Sequence, residues 1–255
     1  MPPLTLYEPY SALASVYQPT GLAAYAVGIA PRLLNLIFAY EWVGSAALEL
    51  GCGTGEFACY LCEHGLRTFA VDSSVEMLNQ ARAYAQPKGL VVEWEHADIR
   101  AYRPITKMDL ITCIGGTLNY LPTLADLEAT FRTVATFLEK NKFFVFDLIT
   151  IRGLSEQLGD QVIFDNGETI TAVTRSSFSY ETLTRTVVYQ LWTHNGMEWR
   201  RAEEKHTLRG YPVQAIQKLL AKYQLKLLRT MNTALDPADP SDVERVVFLA
   251  QREEG

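Results

Sequence analysis

The 255-residue chain reads as an α/β protein built on a doubly wound, mostly parallel sheet with an inserted antiparallel meander, and three observations predict this. Short apolar runs alternate with helical stretches from residue 45 to about residue 149; a glycine-rich turn, Gly51-Cys52-Gly53-Thr54-Gly55, ends the first run; and an acidic residue stands at or just beyond the end of each of the first three runs. Alternating strand and helix require crossover connections, and these produce parallel strands covered on both faces.

The elements follow in order. Residues 1–44 form a helical segment, with apolar clusters at 13–17 and 33–40 and interruptions at Pro9, Pro19 and Pro31. The core occupies 45–255. Its spacing predicts strands at 46–50, 68–71, 91–95, 110–114 and 143–149, and helices at 56–63, 75–85 and 125–139. From about 160 to 208 the chain turns to near-alternating Thr, Val, Tyr, Phe and Trp, punctuated by Asp165-Asn166-Gly167 and His194-Asn195-Gly196. Asn-Gly pairs at such places are hairpin signals, so this block reads as an antiparallel sheet inserted into the core. A helix at 212–223 and strands at 225–231 and 245–250 close the chain.

Composition sets the outer limits. With 48% hydrophobic and 20% charged residues, the chain has the means to bury a sizeable core as one elaborated domain. A formal net charge of -6 gives no long-range attraction for nucleic acid. Arg200, Arg201, Lys205 and Arg209 are interleaved with Glu198, Glu203 and Glu204, the pattern of a solvated strand face. No basic stretch leads into an apolar core at the N-terminus, and no apolar run has the length of a membrane span, so a soluble cytoplasmic protein is expected. Cys52, Cys59, Cys62 and Cys113 do not make a disulfide framework. Cys59 and Cys62 fall in a helical pattern with no second Cys/His pair at zinc spacing. They read as core cysteines, and no metal is expected.

The glycine turn admits a nucleoside-bearing ligand close to the backbone. A dinucleotide turn would carry Gly or Ala at the sixth position of the glycine motif, where a phosphate meets the helix N-terminus; Glu56 stands there instead. Glu49, just before the first glycine, adds a second carboxylate. Both favour a cationic ligand over a pyrophosphate. Asp72, about 20 residues beyond the glycines, is placed to accept from ribose hydroxyls. Asp98, in Ala97-Asp98-Ile99, can accept from an adenine amino group between apolar neighbours. Each aspartate alone would be an ordinary cap or turn residue. Three acidic positions on three successive strands are hard to explain that way.

At this point the sequence resembles a family. Glu49-Leu-Gly-Cys-Gly-Thr-Gly55, Val71-Asp72-Ser-Ser-Val-Glu-Met77, His96-Ala-Asp98-Ile and the strand ending at Ile114 are similar to the ordered motifs of class I S-adenosylmethionine-dependent methyltransferases. The resemblance implies a Rossmann-like, seven-stranded, mostly parallel sheet whose last strand is antiparallel, and S-adenosylmethionine as cofactor. It implies that Glu49, Gly51, Gly53 and Gly55 hold the methionyl portion, that Asp72 holds the ribose, and that Asp98 reads the adenine with Met77 packed nearby. Cys52, Ser73, Ala97, Ile99, Ile114 and Gly115 complete that expected cofactor site. The inserted meander ending in His206-Thr-Leu-Arg209-Gly-Tyr211 resembles the small-molecule branch that includes amino-sugar and glycine N-methyltransferases.

Methyl transfer from a sulfonium is an in-line displacement in which alignment matters most and a strong base is optional. On the acceptor side, Asn119 and Tyr120 follow the fourth strand, and His206 could take a proton from an amine or hydroxyl. These three are the catalytic candidates. Tyr10 and Tyr17 lie in the segment that, by resemblance, folds over the cofactor, and with Arg209 they are the substrate-binding candidates. His64, His96 and His194 have no partner arrangement that points to catalysis. The partner expected is a small-molecule acceptor of nitrogen or oxygen type, with no nucleic acid and no membrane, and a homodimer is the candidate assembly. Two other readings stay open on sequence grounds: a protein that binds S-adenosylmethionine without catalysis, and a nicotinamide-linked reductase.

Overall fold

The computed structural model describes residues 4–156 and 158–254. One sheet contains β2 (Ala46–Leu50), β3 (Arg67–Asp72), β4 (Val92–His96), β5 (Met108–Cys113), β6 (Leu138–Ile149), β11 (Leu225–Met231) and β12 (Arg245–Arg252). Its spatial order is β11-β12-β6-β5-β2-β3-β4. β2 pairs in parallel with both β3 and β5, and β12 pairs antiparallel with both β6 and β11. This is the expected Rossmann-like sheet of seven strands with the last one reversed. The strand order reverses between β2 and β5, the place where open α/β sheets leave a crevice at their carboxyl ends.

Both faces of that sheet are covered. β6 divides its side chains by the period of two: Phe144, Phe146 and Leu148 pack with α4 (Leu124–Phe137) and α6 (Val213–Lys222), while Phe143 and Val145 pack with α1 (Ala24–Phe38) and α2 (Glu56–Glu63). A fifth long helix, α3 (Val75–Ala85), is capped by the Ser74 hydroxyl, which accepts from Met77 N. α1 passes through Pro31, where an interruption was expected. A mid-helix proline costs about 3 kcal/mol. The burial of Ile29, Leu33, Leu34 and Ile37 on one face of the helix offsets it.

The second sheet has the order β1-β10-β9-β8-β7, from β1 (Leu4–Tyr7), β7 (Gly159–Asp165), β8 (Ile170–Ser179), β9 (Thr184–His194) and β10 (Trp199–Arg209). The two Asn-Gly turns fall where expected: Asn166 Oδ1 accepts from the backbone N–H groups of Glu168, Thr169 and Ile170, and Asn195 Oδ1 from those of Met197 and Glu198. β1 departs from the helical expectation. The free edge of β10 offers hydrogen bonds, and Leu4–Tyr7 runs parallel to residues 201–204. Leu13 and Val16 then seat the N-terminal segment against Ala172 and Leu191 of the inserted sheet. The part before α1 and the first turn of α1, with Tyr25 and Ala26, reach the sheet's carboxyl end, while Ile29, Leu33, Leu34 and Ile37 of α1 pack into the core.

β6 is longer than the expected 143–149. Met108 already pairs with Leu138, and a register shift lies before Leu110 meets Phe143. Among the described residues no helix is long and apolar enough to cross a membrane.

The short helix α5 (Ile151–Ser155) presses onto the chain entering β12: a Cβ added at Gly153 would come 2.0 Å from the Glu244 carbonyl oxygen. Backbone cannot swing away as a side chain can, so Gly153→Ala should lower stability by about 1–3 kcal/mol. Urea unfolding reads this directly, and an unchanged midpoint would show that the packing here yields freely.

Candidate functional site

A cavity of about 540 Å³ opens at the carboxyl ends of β2, β3, β4 and β5, under the N-terminal segment. Its floor is the glycine turn. Gly51, Gly53 and Gly55 have φ of +72°, +53° and +83°, a region in which side-chain-bearing residues are strained. At Gly51 the demand is doubled, because an added Cβ would lie 2.3 Å from Thr117; at Gly53 nothing lies within 4 Å, so the backbone there is open to a ligand. Gly55 does not line the cavity. It caps α2 and gives room to Trp94 and Ala81, which a Cβ would meet at 2.6 and 2.8 Å.

Asp72 ties this floor together. One carboxylate oxygen accepts from Gly53 N and the other from Ser74 N, each at 2.8 Å. Burial raises its pKa, opposed by the N–H groups of Ser74, Gly53 and Ser73. Glu49 is in a harsher position. It is 2% exposed, and its Oε2 has no hydrogen-bond partner. Burial pushes its pKa well up, and the neighbouring Glu56 and Asp72 carboxylates add to that. Glu56, the second carboxylate of the sequence argument, is already engaged: it accepts from the Thr54 hydroxyl at 2.8 and 2.7 Å and from the Gln18 amide at 2.5 Å.

The far end is apolar, with Met77 and Ile99 buried against it and Cys52, Ser73, Ile114 and Gly115 also on the wall. Asp98 reaches the rim, but Arg100 holds both of its oxygens at 2.9 Å and keeps its carboxyl below the usual range. Arg100 also binds Asp126 at 2.7 Å. The Arg100 backbone N–H and Nη2 donate to Asp98 as well, so Arg100 takes up the carboxylate's roughly four acceptor sites, and a ligand donor would have to displace one of these bonds. Ala97 is off the wall; its N–H donates to the Asp72 carbonyl oxygen at 3.1 Å.

The opposite end is built from tyrosines. Tyr10, Tyr17, Tyr120 and Tyr189 line it together with Leu208 and Ile149. Arg245 stands beside them, ion-paired with the fully buried Asp147 and 4.4 Å above the Tyr25 ring. Asp147 in turn accepts from Gly116 N at 3.0 Å, fixing the turn after β5. Neither Arg245 nor Asp147 carries a sequence signal; they lie 98 residues apart and meet only because β12 pairs with β6.

Three candidates fall elsewhere than expected. Asn119 is buried and does not line the cavity: its amide nitrogen donates to the carbonyls of Ile149 (3.0 Å) and Arg209 (2.9 Å), and its oxygen accepts from Ile149 N at 2.9 Å. It stitches the loop after β5 to β6 and β10. Arg209 is also outside, donating to the Pro122 carbonyl at 2.8 Å. His206 is fully buried behind Tyr120, whose hydroxyl lies 2.8 Å from its Nδ1. Its Nε2 is 3.0 Å from Glu204 Oε2.

Glu204 corrects the reading of residues 198–209 as a solvated face. It is 1% exposed, and besides His206 it receives the backbone N–H groups of Tyr10 (2.7 Å), Ala12 and Leu13 (2.8 Å). The signal that could have found it is periodicity: Glu204, His206 and Leu208 are alternate residues of one strand and share its inner face.

Comparison with known proteins agrees with this geometry. Residues 47–141 match the family described as a methyltransferase domain. YqeM of Bacillus subtilis strain 168, named as a methyltransferase, is 27% identical over 207 residues, 80% of this chain and 83% of that protein. A crystal structure of a S-adenosylmethionine-dependent methyltransferase from Clostridium acetobutylicum superimposes with a TM-score of 0.83 at 25% identity, covering 96% of this chain and 99% of that one. The sugar N-methyltransferase KedS8 from Streptoalloteichus shares the fold, with a TM-score of 0.76 at 20% identity over 95% of this chain and 92% of its own.

The upward pKa shift of Glu49 has a definite sign. A carboxyl whose folded pKa exceeds its unfolded value binds more protons when folded, so it costs stability as pH rises above the ordinary value of 4.5. Glu49→Gln should therefore stabilise the ligand-free protein at neutral and alkaline pH, with the gain vanishing toward pH 4.5. Urea midpoints across that range decide it; a gain independent of pH would mean the shift is absent.

Proposed function

We propose that the chain is a class I S-adenosylmethionine-dependent methyltransferase and that it methylates a nitrogen or oxygen of a small-molecule acceptor, a reading supported by the methyltransferase-domain match and the shared fold. The observation that carries the reading is the buried Glu49 carboxylate, whose Oε2 has no hydrogen-bond partner, beneath an open glycine backbone and inside the same cavity as a tyrosine wall. A buried carboxylate oxygen without a donor is expensive unless a cation meets it. The ammonium of S-adenosylmethionine is such a cation, and a dinucleotide pyrophosphate would be repelled.

In this reading Glu49 and the Gly51 and Gly53 backbone hold the methionyl end, Asp72 the ribose hydroxyls, and Met77, Ile99 and the rim carboxylate of Asp98 the adenine. Bound there, S-adenosylmethionine supplies an electrophilic methyl group on a sulfonium. The chain's residues then position the acceptor for in-line attack, where effective concentration and angle supply most of the rate. Tyr10, Tyr17, Tyr120 and Tyr189 bound the acceptor's space. Their ring faces suit a cationic or apolar body and their hydroxyls a polar handle. The N-terminal segment excludes water, clasped to the glycine turn through Gln18 and Glu56. The fold shared with a sugar N-methyltransferase supports a small acceptor, as does a cavity of about 540 Å³ closed over by that segment.

Two outcomes follow. Cofactor binding should be linked to proton release, because the ligand's ammonium favours the ionised form of Glu49 that burial disfavours. Calorimetry in buffers of different ionisation enthalpy measures that proton. Glu49→Gln should abolish the release and weaken binding by about 10- to 100-fold. Incubating the protein with S-adenosylmethionine and a panel of amines, amino sugars, hydroxy acids and phenols should yield S-adenosylhomocysteine with at least one acceptor. Tight binding with no turnover on any of them would favour a non-catalytic binding protein, and stabilisation by a dinucleotide would overturn the cofactor assignment.

A further inference from the structure

Four side chains form a single hydrogen-bonded line leading out of the cavity. Tyr10 donates its hydroxyl to the Tyr120 hydroxyl oxygen at 2.7 Å. Tyr120 has one proton, and His206 Nδ1 lies 2.8 Å from its oxygen. Having accepted from Tyr10, Tyr120 directs that proton at Nδ1, which leaves the His206 proton on Nε2, facing Glu204 Oε2 at 3.0 Å. Every bond then points the same way. Both tyrosines line the cavity, whereas His206 and Glu204 are 0% and 1% exposed.

We propose that Tyr10, Tyr120, His206 and Glu204 are a proton relay that carries the acceptor's proton from the cavity onto the buried His206–Glu204 pair. The inference rests on methyl transfer to an N–H or O–H acceptor. As the acceptor's lone pair forms the new bond to the methyl carbon, the carbon–sulfur bond breaks and its electron pair stays on sulfur. The acceptor's proton passes to the Tyr10 oxygen, the Tyr10 proton to Tyr120, and the Tyr120 proton to His206 Nδ1. The product is an imidazolium ion-paired with the Glu204 carboxylate. Tyr10 and Tyr120 are the groups that face the acceptor; His206 and Glu204 act through them and are positioning residues.

Two further observations bear on this. Burial raises the pKa of both Tyr10 and Tyr120 well above its ordinary value, so a tyrosine that passes its proton toward His206 must take one from the acceptor side in return. The groups facing His206 are Tyr10 from the N-terminal segment (ring centroids 4.8 Å apart), Tyr120 from the turn after β5, Tyr189 from β9 (4.7 Å) and Glu204 from its own strand. Glu204 is the sole carboxylate among them, and it orients the ring as well as balancing its charge. The same carboxylate receives three backbone N–H groups of the N-terminal segment, so the relay is complete only with that segment seated.

The test uses the full-length protein with S-adenosylhomocysteine bound and ¹⁵N-labelled histidine. The sequence has four histidines, and His206→Gln identifies the signals of the fourth. The expected result is a proton on His206 Nε2 and a bare Nδ1, as the partners of the two nitrogens direct. A proton on Nδ1 leaves no place for an arriving one and overturns the relay. In single-turnover reactions with an acceptor found by the screen above, Tyr120→Phe and His206→Gln should each slow methyl transfer by about 10²- to 10⁴-fold. S-adenosylhomocysteine affinity should stay within about twofold. Unchanged rates, or rates lost only in step with cofactor affinity, overturn the relay. An empty acceptor screen counts against the methyl-transfer reading, and the nitrogen protonation pattern then decides the relay alone.

Discussion

A carboxylate removed from water needs donors, and Glu204 takes its donors from the N-terminal segment and from its own strand. Its oxygens receive the backbone N–H groups of Tyr10, Ala12 and Leu13, while the His206 imidazole approaches from the same strand. Hydrogen bonds to a charged group contribute about 1.5–3 kcal/mol each, and the bare buried charge would cost several kcal/mol. The N-terminal segment therefore has one seat in which Glu204 is satisfied. That seat places Tyr10 against Tyr120 and closes the roof of the cavity. Remove the carboxylate and the segment keeps its apolar contacts with the inserted sheet but loses what fixes its backbone.

The floor of the cavity follows an opposite logic. There the carboxylates are crowded: Glu56 and Asp72 add to the cost of burying Glu49, and the three are satisfied unequally. Asp72 is met by the N–H groups of Gly53 and Ser74, and Glu56 by Thr54 and Gln18. Glu49 finds no donor for Oε2. The chain leaves one negative site unanswered, at the reversal point of the sheet and below a glycine backbone. Stability given up there becomes binding energy for a cation.

The two ends are mechanically linked. Gln18 in the N-terminal segment holds Glu56 on the glycine turn, and Tyr10 in the same segment lies against Ser74, whose backbone is bound by Asp72. A ligand that reorganises the acidic floor is thereby felt by the segment that carries the tyrosine wall. The inserted sheet is the other support, since β1 adds to its edge and Leu13 packs on its face.

How much was legible in the sequence depends on range. The alternation of apolar runs, the glycine turn and the Asn-Gly hairpins are written within a few neighbouring residues, so the seven-stranded sheet, the inserted sheet and the floor residues Glu49, Gly51, Gly53 and Asp72 could be read directly. Tyr10, Tyr17 and Tyr120 were legible as wall candidates. What local pattern could not decide is which polar side chains find partners. Asn119 and Arg209 look free in the sequence, yet backbone carbonyls brought in from β6, β10 and the loop after the fourth strand's turn occupy them. Glu204 looks like one of several surface glutamates, and only the docking of residues 10–13 turns it inward and makes it the hub of the tyrosine end. Arg245 and Asp147 meet through an antiparallel pairing that joins distant parts of the chain. The sequence by itself determined the fold and the charge of the floor, because those rest on periodicity and local turn chemistry. The tertiary structure alone decided the tyrosine end of the cavity, because burial and hydrogen-bond satisfaction are properties of pairs far apart in the chain.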